Sequence, residues 1–309
     1  MDCSIVPLRH GNLSLISTTD FFYPLVDDPY MQGKIGCANV LSDLYAMGIY
    51  NCDNMLMILA ASRDMNERER NICTKEMIRG FNDLAKEAET EITGGQTVMN
   101  PWPIIGGVAT SVCTEEEFIR PELLEVGDVI VLTKPLGTQV AVNAHQWLAL
   151  DNQYWKQIKD ITTPEDVKNA YETAMYSMAR LNRNGAKLML KYGAHGATDV
   201  TGFGILGHAN NLAENQSAPM NIEIHTLPII KKMAEVEKQV KLFKLMEGFS
   251  AETSGGLLVC LPEANAQQFI DEIQELDNKA AWIVGRVVEN TTGNKNSACI
   301  AEDVSIIEV

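Results

Sequence analysis

Apolar runs of strand length alternate with helical segments along the whole chain, and this alternation restricts the fold more than any other feature of the sequence. Leu13 to Thr19 is predicted to be a strand that ends in polar residues, and Met55 to Ala60 is a continuous apolar run typical of a buried strand. A helix from about Met31 to Met47 lies between them, and Asn66 with Glu69 predicts a capping box that opens a second helix. Because no parallel βαβ rhythm dominates, the sequence predicts an α/β fold of mixed sheets covered by helices.

The size of the chain indicates two domains with substantial cores. It has 309 residues, of which 46% are apolar. We expect the domains to comprise residues 1–117 and 118–309, because acidic and turn-forming residues fill the stretch from Glu115 to Asp128. No apolar run reaches the roughly 20 residues needed to cross a bilayer, and no secretory signal opens the chain. A cytoplasmic location is expected on that basis. Seven scattered cysteines without a Cys-x-x-Cys pair predict reduced thiols.

The charge of the chain limits its partners. There are 41 acidic and 25 basic residues, which give a net charge of −16. An acidic surface without a basic cluster argues against nucleic-acid binding, which depends on cationic contacts to phosphates. A phosphate-rich ligand would also be repelled unless metal ions bridged it to the protein, and no Walker-type lysine loop is present. The composition therefore favours Mg²⁺ between carboxylates and phosphates.

Four aspartates are the candidate carboxylates: Asp2, Asp20, Asp43 and Asp199. Each is expected where a strand ends or a helix turns inward, among small residues. Asp43 lies between two leucines on the predicted helix, where an isolated carboxylate would be costly to bury, so metal ligation explains it better than a surface position. For Asp199, an ordinary helix cap remains an equal alternative. Asp27 and its neighbour Asp28 are interpreted as a turn before a proline.

A short glycine-containing stretch is the second candidate for ligand binding. The residues Gly94, Gly95, Gln96 and Thr97 could bring backbone N–H groups close to a phosphate or to adenine. On its own the stretch is better explained as a turn between two strands. The five histidines show no spacing typical of a zinc site.

Eight stretches form an ordered series across the chain: Val6–Gly11, Thr18–Asp20, Asp27–Tyr30, Ala38–Gly48, Thr93–Thr97, Leu132–Gly137, Ala197–Gly204 and Glu252–Gly256. In this order they resemble the selenophosphate synthetase family, also called selenide, water dikinase, in its eukaryotic form. The resemblance extends nearly from end to end, and several of the stretches are long.

The resemblance implies a two-domain aminoimidazole ribonucleotide synthetase-like architecture, with an ATP-binding N-terminal domain, paired as a homodimer. It also implies that selenide, ATP and water give selenophosphate, AMP and orthophosphate. On the family's pattern Asp2, Asp43 and Asp199 are expected to bind Mg²⁺, and a role for K⁺ is left open. The implied nucleotide contacts are Met1, Asp2, Asp20, Asp43, Gly94, Gly95, Gln96 and Thr97.

Members of this family also carry a glycine-rich segment upstream of the position of Asp2. It contains a selenocysteine, cysteine or substitute residue and a lysine that acts on the phosphates. On this resemblance the catalytic residues are expected in such a segment, and the chain alone is expected to bind magnesium nucleotide without making selenophosphate. The alternatives are a regulatory paralogue that binds nucleotide and, within the superfamily, a cyclo-ligase or a thiamine-phosphate kinase. The eukaryotic-type stretches argue against the last two.

Overall fold

A computed structural model describes residues 2–309, which fold into two compact units. The first unit comprises the chain up to Phe118 together with Met178–Lys187, and the second comprises Ile119–Ser177 and Leu188–Val309. The predicted domains, divided between residues 117 and 118, each consist of one continuous segment. The first compact unit differs from this, because it also contains Met178–Lys187. Asn182 ties this segment to the first unit, because its amide donates a 3.1 Å hydrogen bond to Ser42 Oγ.

The first unit is built on one mixed sheet. Its strands are β1 Ser4–Pro7, β2 Ser14–Phe22, β3 Asn54–Ser62, β4 Ile92–Asn100 and β5 Ile104–Cys113. In the part of the chain that the structure describes, they form a five-stranded sheet in the order β1-β2-β5-β3-β4, in which only β3 and β4 pair in parallel. Helices α1, Pro29–Ala46, and α2, Glu67–Glu87, pack against each other, and α1 also packs on β2 and β5.

The ends of both helices follow from capping chemistry. The predicted capping box is confirmed, since Asn66 and Glu69 exchange hydrogen bonds between side chain and backbone at the start of α2. The interpretation of Asp27 and Asp28 as a turn missed the cap of α1. Asp28 is its N-cap and accepts hydrogen bonds from two backbone N–H groups of the first turn. Gly48, with φ of 76°, follows the last turn of α1, where a left-handed backbone favours glycine.

Two glycines allow α1 and α2 to approach closely. A Cβ on Gly33 of α1 would lie 2.1 Å from the carbonyl oxygen of Met77, and a Cβ on Gly80 of α2 would lie 1.9 Å from the carbonyl oxygen of Tyr30. Both distances are far below van der Waals contact, so only glycine fits at either crossing point. The spacing between the helices is therefore set by backbone contact.

The second unit is built on a six-stranded sheet in which only one strand pair is parallel. Its strands are β6 Asp128–Leu132, β7 Gly196–Asp199, β8 Met220–Ile229, β9 Leu257–Pro262, β10 Trp282–Glu289 and β11 Ala298–Glu308. Their order is β11-β8-β10-β6-β9-β7, and only β11 and β8 run parallel. The remaining helices of the chain are α3 Thr138–Leu150, α4 Gln153–Ile158, α5 Pro164–Ala179, α6 Arg183–Lys191, α7 Gly204–Glu214, α8 Met233–Val240 and α9 Glu263–Asp277.

These two sheets confirm the predicted α/β class, because each combines parallel and antiparallel strand pairs and carries helices between its strands. Among residues 2–309, no helix has the length and apolar character needed to cross a membrane.

Candidate functional site

Two side-chain contacts join α1 to β2 in the first unit. The hydroxyl of Thr18 donates a hydrogen bond to the carboxylate of Asp43, and the amide of Asn39 donates a 2.6 Å hydrogen bond to the carboxylate of Asp20. The spacings match, since two residues of strand and four residues of helix each advance by about 6 Å. The two polar pairs therefore lie in register between the strand and the helix.

The structure corrects the predicted position of Asp20. The strand was expected to end at Thr19, but β2 continues to Phe22, so Asp20 lies inside the strand and not beyond its end. Burial raises the pKa of its carboxyl, and the hydrogen bonds from Asn39 and from the backbone of Phe21 act in the opposite direction. Pairing with β5 accounts for the longer strand, because all nine residues of β2 have partners there.

Asp2 and Asp43 form a pair of carboxylates in the first unit. One oxygen from each lies within 4.8 Å of the other, and both side chains are only partly exposed. Two negative charges so close repel each other unless a proton or a cation lies between them. Carboxylate oxygens are the ligands that hard divalent cations prefer. The donor set therefore fits Mg²⁺ or Ca²⁺, and the role of Asp2 and Asp43 as Mg²⁺ ligands stays a prediction.

The stretch from Gly94 to Thr97 lies inside β4, so its interpretation as a turn was wrong. Gly95 has φ of 143°, and a Cβ on it would lie 1.9 Å from the carbonyl oxygen of Met57. A row of paired residues crosses the sheet here: Asp20 pairs with Gly107, and Met57 pairs with Gly107 on one side and with Gly95 on the other. Three strand spacings, roughly 14 Å, therefore separate Asp20 from Gly95.

Asp199 belongs to the second unit, where it is the last residue of β7. It pairs with Leu257 of β9, and it is 2% exposed. The helix-cap alternative is wrong, because α7 begins five residues later, at Gly204. Met1, which was expected to contact the nucleotide, lies outside the described residues.

A buried polar cluster in the second unit was missed. Glu252 accepts hydrogen bonds from the backbone N–H groups of Gly137, at 2.6 Å, and Thr138, at 3.0 Å, and from the Thr138 hydroxyl. The ammonium group of Lys134, which is 1% exposed, donates a 2.8 Å hydrogen bond to the carbonyl oxygen of Ser254. The available signal was the presence of ionisable residues in two small-residue stretches, but nothing in the sequence shows that these stretches meet.

Burial raises the pKa of Glu252 from 4.5 to about 7, although the hydrogen bonds from Thr138 and Gly137 lower it. The folded state thus binds this proton more tightly than the unfolded state does. Protonated Glu252 therefore stabilises the folded state, fully so below about pH 4.5, and this stabilisation is lost as the pH rises through about 7. The free energy of unfolding changes by about 3 kcal/mol in total.

We expect Glu252→Gln, which cannot ionise, to remove this component of the pH dependence. Urea unfolding at about pH 5 and pH 8 measures it, as the difference between the two free energies of unfolding. The wild type should lose about 2.5 kcal/mol more of its free energy of unfolding than the variant does over this range. An equal change in the free energy of unfolding for the two proteins would show that the Glu252 carboxyl does not titrate in this pH range.

The fold and its sequence signature are those of a known class of proteins. Family models for AIR synthase related protein match the chain over residues 1–113 for the N-terminal domain and 125–294 for the C-terminal domain. The solved structure of AaThiL complexed with AMPPCP and TMP has a TM-score of 0.69 and 17% identity, covering 96% of this chain and 86% of that one. Hydrogenase maturation protein HypE in complex with ATP has a TM-score of 0.67 and 17% identity, covering 91% and 78%. These likenesses show the fold, and the matching models confirm the predicted two-domain AIR synthetase-like architecture.

Closer relatives define the family within this class. Selenide, water dikinase 2 of Mus musculus is 58% identical over 313 residues, which span 100% of this chain and 68% of the mouse protein. Selenide, water dikinase of Dictyostelium discoideum is 56% identical over 312 residues, spanning 100% and 85%. The chain belongs to the selenide, water dikinase family, whose members are phosphotransferase enzymes.

Proposed function

We propose that this protein uses ATP to convert selenide into selenophosphate, with AMP and orthophosphate as the other products. The observation that carries the proposal is the identity of 50 to 58% to selenide, water dikinases over at least 99% of the chain. The alternative of a regulatory paralogue is not favoured, because the similar relatives carry the name of the enzyme.

We also propose that Asp2 and Asp43 bind Mg²⁺ and, as the family resemblance implies, that Asp199 is a Mg²⁺ ligand. The support is the proximity of the Asp2 and Asp43 oxygens and the net charge of −16, which disfavours direct binding of phosphates. Mg²⁺ held by these carboxylates would neutralise negative charge that builds up on the phosphates during transfer. The hydroxyl of Thr18 donates a hydrogen bond to the Asp43 carboxylate and so helps to orient this proposed ligand.

ATP itself is proposed to contact Asp20 and the stretch from Gly94 to Thr97. Asn39 orients the Asp20 carboxylate, so that its position does not depend on the ligand. Gly94 to Thr97 are exposed on β4, the last strand of its sheet, and such a strand presents backbone N–H and C=O groups on its outer side. Those groups can bind phosphate or base without further rearrangement.

Phosphorus NMR of an anaerobic reaction with ATP, Mg²⁺ and selenide tests the activity. The reaction is run with the chain alone and with a version that carries the family's glycine-rich segment. With the segment, we expect selenophosphate, AMP and orthophosphate to appear together in equal amounts, whereas the chain alone should bind the nucleotide without giving selenophosphate. ATP cleavage at the same rate with and without selenide, and no selenophosphate signal in the presence of the segment, would contradict the proposed reaction.

A homodimer is proposed as the working state of the protein, on the basis of an open face of the first sheet. On β5, Ile105 and Ala109 are fully buried on the face that α1 covers, whereas Val108 and Val112 are partly exposed on the other face. Val98 of β4, in register with Ala60 of β3, lies on this second face and is 49% exposed. An apolar sheet face of this kind is more stable when a second copy covers it.

We expect Val98→Asp to shift the protein from dimer to monomer, because it buries a charge at the proposed contact. Sedimentation equilibrium at micromolar concentration measures the change. The matched control is Ile72→Asp on α2, a residue that is 51% exposed and not on the sheet. A wild type that sediments as a monomer, or equal dissociation of both variants, would contradict a dimer formed through this face.

A cytoplasmic location is proposed as well. Cys37 and Cys260 are fully buried, and burial raises the pKa of both thiols well above the usual range. They therefore stay protonated and unreactive, as expected of structural thiols in a reducing compartment.

A further inference from the structure

The loop that follows Asp199 is held by backbone hydrogen bonds to a distant segment. Val200 N donates a 2.9 Å hydrogen bond to the carbonyl oxygen of Gly256, and Glu252 N donates a 3.0 Å hydrogen bond to the carbonyl oxygen of Thr201. These contacts fix one side of the loop. They leave the N–H groups of Thr201 and Phe203 to be satisfied from elsewhere.

His208 of α7 satisfies both groups. Its Nε2 accepts a 3.1 Å hydrogen bond from Thr201 N and a longer one, 3.4 Å, from Phe203 N. The Thr201 hydroxyl lies 3.1 Å from the same nitrogen, and the Phe203 ring lies 5.5 Å from the imidazole ring. The side chain of His208 is 7% exposed, so water cannot readily replace it as the acceptor.

We propose that His208 is a positioning residue that holds the loop after Asp199 and thereby orients the Asp199 carboxylate for Mg²⁺. The inference rests on the proposed function, in which Asp199 is a ligand. An acceptor role requires Nε2 to carry a lone pair, and the proton is then on Nδ1. Burial lowers the pKa of His208 to about 4, which is consistent with a neutral ring at physiological pH.

The variants are chosen to remove or to keep the hydrogen-bond acceptor that Nε2 of His208 provides. In His208→Phe the ring volume is kept and the acceptor is lost, which leaves two buried N–H groups without a partner. In His208→Gln an amide oxygen can occupy the place of Nε2 and accept the same hydrogen bonds. His225→Phe is the control, because His225 lies on β8 and its Nδ1 is 2.9 Å from the hydroxyl of Thr226.

Two measurements test the proposal. Amide hydrogen exchange of Thr201 and Phe203 reports on the loop, and calorimetric titration of ADP at increasing Mg²⁺ reports on the metal. We expect His208→Phe to speed exchange at both amides and to raise the Mg²⁺ concentration at half-saturation on the order of tenfold, as loss of a group that orients a metal ligand does. His208→Gln should restore both quantities to within a few-fold of the wild type, and His225→Phe should change neither.

The outcomes separate the inference from the function on which it rests. If the wild type binds ADP equally well with Mg²⁺ and with EDTA, the metal site and the role of His208 fail together. If the wild type depends on Mg²⁺ and His208→Phe keeps its half-saturation, the metal site stands and the positioning role is overturned. If His208→Phe does not fold, His208→Asn is measured in its place and judged by the same criteria. The asparagine side chain is too short for its amide oxygen to reach the position of Nε2.

Discussion

Asp43→Asn should abolish most of the magnesium-dependent binding of nucleotide while the protein remains folded. The amide oxygen of asparagine can still accept the hydrogen bond from Thr18, so the contact between α1 and β2 survives. What is lost is the negative charge beside Asp2, which a hard cation requires. Removal of a group that only orients a ligand can weaken metal binding by about 100-fold, and loss of a charged ligand should cost at least that much.

The measurement is calorimetric titration with ADP in Mg²⁺ and in EDTA, and Asp27→Asn is the control. Asp27 is exposed and lies just before the N-cap of α1, so its charge is removed with little effect on the fold. The wild type and Asp27→Asn should bind tightly only in the presence of Mg²⁺. If Asp43→Asn binds magnesium nucleotide as tightly as Asp27→Asn does, the assignment of Asp43 as a ligand is wrong.

Gly80→Ala should strongly destabilise the first unit. Alanine is favoured over glycine in a helix by about 1 kcal/mol, which would stabilise α2. The new Cβ, however, would lie 1.9 Å from the carbonyl oxygen of Tyr30, so α1 and α2 must move apart. Overpacking costs about 1–3 kcal/mol and sometimes more, and here the contact is with rigid backbone. We expect a net loss of about 3 kcal/mol.

Urea denaturation measures this loss, and Gly202→Ala provides the comparison. A Cβ on Gly202 meets no atom within 4 Å, so the free energy of unfolding of that variant should lie within about 0.5 kcal/mol of the wild-type value. Equal stability of the two variants would show that α1 and α2 can separate at no cost.

The elements that were predicted correctly carry their information locally. The capping box at Asn66 and the apolar run of β3 lie within a few consecutive residues, so no distant partner is needed to recognise them. Asp28 was missed because an Asp-Pro pair fits a turn and an N-cap equally well.

The errors within the site have a different cause, which is that the deciding contact lies far away in sequence. Gly95 belongs to a strand because its missing side chain admits the carbonyl oxygen of Met57. Glu252 caps the start of α3 from more than a hundred residues away. His208 lies only seven residues from Thr201, but nothing in the sequence of the loop indicates that its backbone N–H groups donate to an imidazole. Pattern analysis identified the carboxylates by their chemistry, but it could not identify the groups that orient them.

The contacts of Thr18 with Asp43 and of Asn39 with Asp20 have a mechanical consequence. Because α1 and β2 are joined at two points with equal spacing, a slide of the helix by one residue, about 1.5 Å, would misalign both contacts at once. The position of α1 is in turn set where its backbone touches α2 at Gly33. A substitution at that remote crossing, on the side of α1 that faces α2, should therefore displace Asp43 and Asn39 together.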